Sequence, residues 1–381
     1  MKNLPCKKIN HSKYLKILFL IRLCLLLGIA SSELEAQNEI SCVQNSVGLE
    51  YGFGAIFKHS QQIEHLSNAN PNTLELHYRR LMNDRLWSKK LKNPSLGLMF
   101  SYTNMDQSEI LGDILILGTY MGIPILRDDN DLLEFRIGTG LTYGTNKFNL
   151  DNNRRNNLYS TDFSGLGYLR LSLIKEISND LDFSAGMGLV HFSNGSFRLP
   201  NLGANILSIN SGLYYKFGEQ TTIDKKVKLQ KPNNDTVKYH LNIVYGYGSK
   251  ESFPVNSGRN DIYTLMFMME RKTQSLSSWM LGLDINKNTG LEQELNYLFP
   301  EKEYKNDYRV AAISAYSLNL GKFSALGHIG VYLYSPVQAP RFYYTKIGFR
   351  YEIINNLSLG LHLKAHAGVA DFVEYVLVYK I

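Results

Sequence analysis

The chain has 381 residues, of which 44% are hydrophobic and 12% aromatic, and its formal net charge is +7. That length suits two modest domains or one large barrel, and the Tyr, Phe and Gly content comes without strong overall apolarity. The basic residues are scattered among loops and strand faces rather than gathered in one patch, which argues against a nucleic-acid partner.

In chain order, Lys2, Lys7, Lys8, Lys13 and Lys16 precede an apolar run from Ile17 to Ala30, interrupted by Arg22, and a short stretch from Ser31 to Ala36. This reads as a secretory signal over residues 1–36, cleaved after Ala36. Cys6 and Cys24 would leave with it, so Cys42 remains alone. One thiol makes no internal disulfide and no Cys/His metal site, and neither a metal nor any other cofactor is expected.

Beyond the leader no apolar run is long enough to span a bilayer as a helix, while short alternating segments recur throughout. Val47, Leu49, Tyr51, Phe53 and Ala55 alternate with Gly48, Glu50, Gly52 and Gly54; Leu133, Phe135, Ile137, Leu141 and Tyr143 oppose Glu134, Arg136, Gly138, Gly140 and Thr142. Later, Tyr343, Ile347, Phe349 and Tyr351 oppose Tyr344, Lys346, Gly348 and Arg350. Large apolar groups on one face, with charge and glycine on the other, are what a lipid-facing barrel with a polar interior requires.

The expected fold is therefore all-β, an antiparallel transmembrane β-barrel of about 14–16 strands, with an eight-stranded barrel plus a second β unit as the alternative. Strands over 37–217 and over 237–381 flank a polar segment, 218–236, read as a long turn in one barrel or as a linker between two units. Connections sort by length: Ser178-Asn179-Asp180, Leu320-Gly321-Lys322 and Ile354-Asn355-Asn356 are tight turns, whereas 145–163, 193–205 and 287–307 are long and polar. In outer-membrane barrels short turns face the periplasm and long loops face outward. His191 and Ser193 then lie at the outer end of an ascending strand.

That strand carries the chemistry. Leu181, Phe183, Ala185, Met187 and Leu189 share one face, and His191 and Ser193 continue it. The next strand, Ile206 to Phe217, has its oily face on odd positions, and the same parity reaches back to Asn205. A hairpin would bring Asn205 across to His191, giving nucleophile, base and orienting amide in the logic of a serine hydrolase. Backbone N–H groups around Asn194 and Gly195 are candidates for stabilising an oxyanion. Lys147, Arg154, Arg155 and Arg198 are loop cations able to meet phosphate or sugar, although any single one is better explained as a solvated basic residue.

His191-Phe192-Ser193-Asn194, followed by Pro200-Asn201-Leu202-Gly203-Ala204 and a polar residue at Asn205, resembles the catalytic segment of the lipid A 3-O-deacylase (PagL-type) family, also catalogued with acyloxyacyl hydrolases. The resemblance implies an enzyme of the bacterial outer membrane that removes an ester-linked acyl chain from lipid A or lipopolysaccharide, with His191 as base and Ser193 as nucleophile. Asn205 stands where the family's usual third member is glutamate, and an amide orients an imidazole without offsetting its charge. The Ser-His-Asn set also resembles outer-membrane phospholipase A. A non-enzymatic pore or scaffold is the third reading.

Overall fold

The computed structural model describes residues 44–83, 85–128, 130–218, 239–274, 276–336 and 342–381. The leader read at 1–36, and nearly all of the polar segment 218–236, lie outside these residues. Among the described residues sixteen strands follow in order. The first eight are β1 (Asn45–Ile56), β2 (Asn72–Leu81), β3 (Ser95–Asn104), β4 (Asp113–Arg127), β5 (Asp131–Gly144), β6 (Phe163–Ser178), β7 (Leu181–Ser193) and β8 (Ala204–Phe217). The second eight are β9 (Tyr239–Glu251), β10 (Arg259–Gln274), β11 (Ser277–Asn288), β12 (Tyr308–Leu320), β13 (Phe323–Tyr334), β14 (Tyr343–Ile354), β15 (Leu357–His366) and β16 (Val369–Lys380).

The strands close as two antiparallel barrels of eight, β1–β8 and β9–β16, not as one barrel of about sixteen. β8 returns to β1 along its whole length, from Asn45↔Phe217 to Ile56↔Ile206, and β16 returns to β9. Once β8 has satisfied the free edge of β1, no unpaired backbone remains in the first set for β9 to join. The sixteen strands and the inward–outward parity are as expected; the closure is the alternative organisation.

Parity is visible in exposure. On β1, Leu49, Tyr51 and Phe53 are 54, 54 and 56% exposed, whereas Glu50 between them is 1% exposed. The same oily face recurs on β2 and β8 through Leu76 and Ile209 and, in the second eight strands, on β11 and β14 through Leu281 and Ile347. A continuous apolar wall of this kind matches hydrocarbon rather than water. No helix among the described residues is long and apolar enough to cross a membrane.

The first barrel's lumen is filled in two layers. Its outer half holds an apolar plug that includes Ile63, Leu66, Met105, Leu158, Tyr159 and Phe192. Below the plug, three carboxylates and three guanidiniums interlock. Arg170 forks onto Glu75 (2.7 and 2.8 Å) and also binds Glu50; Arg136 reaches Glu134 at 2.9 Å and Glu50 at 3.0 Å; Arg79 reaches Glu134 at 2.9 Å. Glu50, Glu75 and His77 lie close enough to share a cation, but the arginines already neutralise both carboxylates. An eight-stranded barrel is just wide enough for its own side chains, and this one is packed with them.

Connections at the two ends differ as expected, with two exceptions among the described residues. Tight turns join β6 to β7, β12 to β13 and β14 to β15, and the long polar loops lie at the opposite end. One is the β2–β3 connection on the short-turn side, which carries a helical turn, α1 (Leu86–Lys90); the other is the two-residue turn 367–368 between β15 and β16 on the long-loop side. A second helix, α2 (Leu291–Leu298), lies in the long β11–β12 loop. In the second barrel, His366 bonds Tyr332 while Glu374 bonds Lys346, so these two inward residues belong to separate parts of an interior polar network.

Candidate active site

β7 leaves the short-turn end and climbs to Ser193. Phe192 points inward, is 1% exposed and packs 5.7 Å from the ring of Tyr159 in the plug. Because neighbours on a strand point to opposite faces, that anchor turns His191 and Ser193 onto the outer wall. Directly across the sheet, His191 pairs with Asn205 of β8, while Gly167 and Gly165 of β6 lie opposite His191 and Ser193 on the other side. The two glycines leave the wall beside the hydroxyl bare.

The three polar groups meet. His191 Nδ1 lies 2.8 Å from Asn205 Oδ1, and His191 Nε2 lies 3.3 Å from Ser193 Oγ. The amide oxygen can only accept, so Nδ1 carries the imidazole proton and Nε2 is left to accept the serine's. The serine contact is long, as is common for such a pair before substrate tightens it.

A fourth member was not foreseen. Asn205 Nδ2 donates to His59 Nδ1 at 3.0 Å, and His59 Nε2 donates to the carbonyl of Leu202 at 3.0 Å. The chain of hydrogen bonds therefore runs Ser193, His191, Asn205, His59. His59 is placed by the end of β1, where the Phe57 N–H donates to Asn205 O at 2.8 Å, and by the 3-10 turn Gln61–Leu66 that follows, capped by Ser60 and anchored by buried Ile63 and Leu66. The only signal for it in the sequence is a histidine just beyond an alternating strand, and nothing local ties it to position 205.

The β7–β8 loop, residues 194–203, is held by its own side chains. Asn201 Oδ1 accepts from the Asn194 N–H at 2.9 Å, and Asn194 Nδ2 donates to Ser160 Oγ and to Arg198 O. The Asn194 N–H is thus already engaged, which leaves Gly195 as the better oxyanion candidate of the two. Asn201 holds this turn from within Pro200-Asn201-Leu202-Gly203, a setting that by itself does not mark the side chain's partner. Lys147 is paired with Asp162 at 2.8 Å, whereas Arg154, Arg155 and Arg198 are exposed on the outer loops. Among the described contacts none joins these four side chains to the hydrogen-bonded chain.

Gly203 closes the site from below the loop. Its φ is +74°, and a Cβ there would sit 2.9 Å from His191 Cε1 and 3.3 Å from Ser193 Cβ. Gly203→Ala is expected to displace the imidazole and lower kcat on a soluble ester by roughly 10- to 100-fold. The protein should still fold, because one L-residue at positive φ costs only about 1–2 kcal/mol. Ester turnover and heat-modifiable gel mobility measured on the same preparation check both halves, and a fully active variant would contradict this placement.

Comparison with known proteins follows the same division. Residues 72–214 match the family described as Lipid A 3-O-deacylase (PagL), and residues 239–381 match the Acyloxyacyl hydrolase, C-terminal domain. His191, Ser193 and Asn205 fall inside the first match and His59 precedes it. No curated protein matches the chain. Among solved structures, a porin variant of Rhodopseudomonas blastica aligns over 89% of this chain and 100% of its own at 7% identity, with a TM-score of 0.18. An outer-membrane channel from Pseudomonas putida F1 aligns over 92% and 98% at 12% identity, with a TM-score of 0.19. The two family matches between them span most of the chain, one on each barrel, and the protein belongs to the lipid A 3-O-deacylase (PagL) family, ester hydrolases of the bacterial outer membrane.

Proposed function

We propose that the protein hydrolyses an ester-linked acyl chain of lipid A, with Ser193 as nucleophile, His191 as general base, Asn205 as the orienting amide and His59 as its support. Ser193 Oγ attacks the acyl carbonyl while its proton passes to His191 Nε2, and the tetrahedral oxyanion is met by the Gly195 N–H. Collapse expels the sugar hydroxyl, which takes the proton from His191, and leaves an acyl-serine. Water, deprotonated by the same imidazole, then releases the fatty acid and restores the serine.

The observation that carries this reading is the place of the Ser193–His191–Asn205 chain, on the apolar outer wall at the long-loop end of the barrel. An ester in the outer leaflet reaches that wall without leaving the membrane, and the bare strip at Gly165 and Gly167 gives its acyl chain room to lie flat. The plugged lumen, by contrast, supports no pore through the first barrel. Exposed Arg154, Arg155 and Arg198 sit at the rim where lipid A phosphates would lie.

Lipid A mass spectra from cells expressing the wild type or Ser193→Ala test the reaction. Loss of one acyl chain with the wild type alone is the expected result. Unchanged lipid A with released lysophospholipid would instead favour the phospholipase A-type esterase.

The role of the amide has its own test. Asn205→Ala removes the acceptor for His191 Nδ1–H and is expected to cut kcat by about 100-fold, the scale of a positioned acid–base partner. His59→Ala should cost less, roughly 5- to 10-fold, within the range of a single net hydrogen bond. Because both act through one side chain, His59→Ala should add nothing in the Asn205→Ala background. Multiplying effects in the double variant would remove His59 from the chain.

A further inference from the structure

The second barrel has no Ser-His pair of its own at the matching place. Phe323-Ser324-Ala325 leading to Leu333-Tyr334-Ser335 echoes Phe183-Ser184-Ala185 leading to His191-Phe192-Ser193, but with leucine where the histidine would be. Its contact with the first barrel, however, falls on the loop that follows the nucleophile. Glu251, the last residue of β9 and 4% exposed, holds that loop at two points. Its Oε2 accepts from the Leu199 N–H at 2.6 Å, and its own N–H donates to Ser196 O at 2.9 Å.

Three further contacts seat the same few residues. Ser196 Oγ donates to the carbonyl of Ala370 on β16 at 2.8 Å. The Arg259 guanidinium of β10 lies 4.5 Å from the centre of the Phe197 ring. Gly195 packs so closely on Val373 that a Cβ would stand 2.5 Å from its Cγ2. Gly195 and Ser196 both adopt left-handed backbone, φ +63° and +64°, a conformation that a serine does not favour unaided. Residues 195–199 are therefore held by β9, β10 and β16 as well as by the hairpin that carries them.

We propose that the second barrel is a positioning element for hydrolysis in the first, and that Glu251 is its principal contact. By bracketing the loop at Ser196 and Leu199 it fixes the direction of the Gly195 N–H and the exit of the chain from Ser193, so the oxyanion donor is in place before substrate arrives. Glu251 touches neither substrate nor nucleophile and acts only through the loop. The inference rests on the reading of Ser193 as nucleophile.

The experiment uses the full chain in outer-membrane vesicles, with Ser193→Ala run in parallel. Glu251→Ala is expected to lower kcat at least 10-fold with KM nearly unchanged, and to slow labelling of Ser193 by a fluorophosphonate to the same degree. Glu251→Gln, whose amide oxygen still accepts from Leu199, should recover most of both. Folded Glu251→Ala with wild-type kcat and labelling overturns the proposal, as does a glutamine variant as impaired as the alanine one. Activity surviving in Ser193→Ala would instead overturn the nucleophile assignment, which separates the two failures.

Should Glu251→Ala not fold, a tether decides. In a Cys42→Ser background, Phe197→Cys and Arg259→Cys are joined by a short bis-maleimide. A cross-linked enzyme that retains activity shows turnover with the loop seated on the second barrel. Failure to cross-link, or loss of activity on cross-linking, overturns the proposal.

Discussion

Ser193→Ala is expected to lower kcat/KM by roughly 10⁴-fold or more, a loss of about 5 kcal/mol of transition-state stabilisation, with little change in KM. The reason lies in the chain of hydrogen bonds. An alcohol is a poor nucleophile until a base takes its proton, and here His191 Nε2 lies 3.3 Å from the hydroxyl. His191→Ala should therefore cost nearly as much as Ser193→Ala. The double variant should be no worse than either, because neither group functions without the other. Steady-state kinetics on a detergent-dispersed ester across the three variants make the comparison. Costs that multiply in the double variant, or a Ser193→Ala enzyme within tenfold of wild type, would mean that this pair is not the reacting unit.

The second large effect is on stability. Arg170 is fully buried and joins Glu50 and Glu75, so Arg170→Met strips Glu75 of its guanidinium and leaves Glu50 with that of Arg136. Breaking a buried ion pair from one side typically costs about 3–5 kcal/mol, since the remaining charge keeps its desolvation penalty and loses its compensation. The arginine's fork onto Glu75 gives this cluster good geometry, and Arg136 with the Tyr214 hydroxyl completes the shell around Glu50. The urea midpoint of the refolded barrel in lipid vesicles should fall accordingly. Adding Glu50→Gln and Glu75→Gln to Arg170→Met should restore much of the loss, because neutral amides carry no such penalty. An unchanged midpoint in Arg170→Met would show that water reaches the cluster and that the network is not what holds the lumen.

Much of this protein was readable from a local rule. Period-two alternation put Leu49, Tyr51 and Phe53 outward and Glu50 inward, sorted the tight turns from the long loops, and set His191, Ser193 and Asn205 on one wall. Those properties depend only on neighbours along the strand, where side chains must alternate, and on a hairpin that pairs β7 with β8 a few residues later. Closure was a different matter. The alternation is identical for one barrel of sixteen strands and two of eight, because it defines the faces of a strand and says nothing of which distant edge will pair with it. Only the return of β8 to β1 decided that. His59 reaches Asn205 across 146 positions, and Glu251 meets Leu199 across 52, so neither leaves a periodic mark in the chain. The faces and the wall that carries His191, Ser193 and Asn205 belong to short-range backbone geometry, whereas the partner behind the amide and the barrel behind the loop exist only once the sheets have closed.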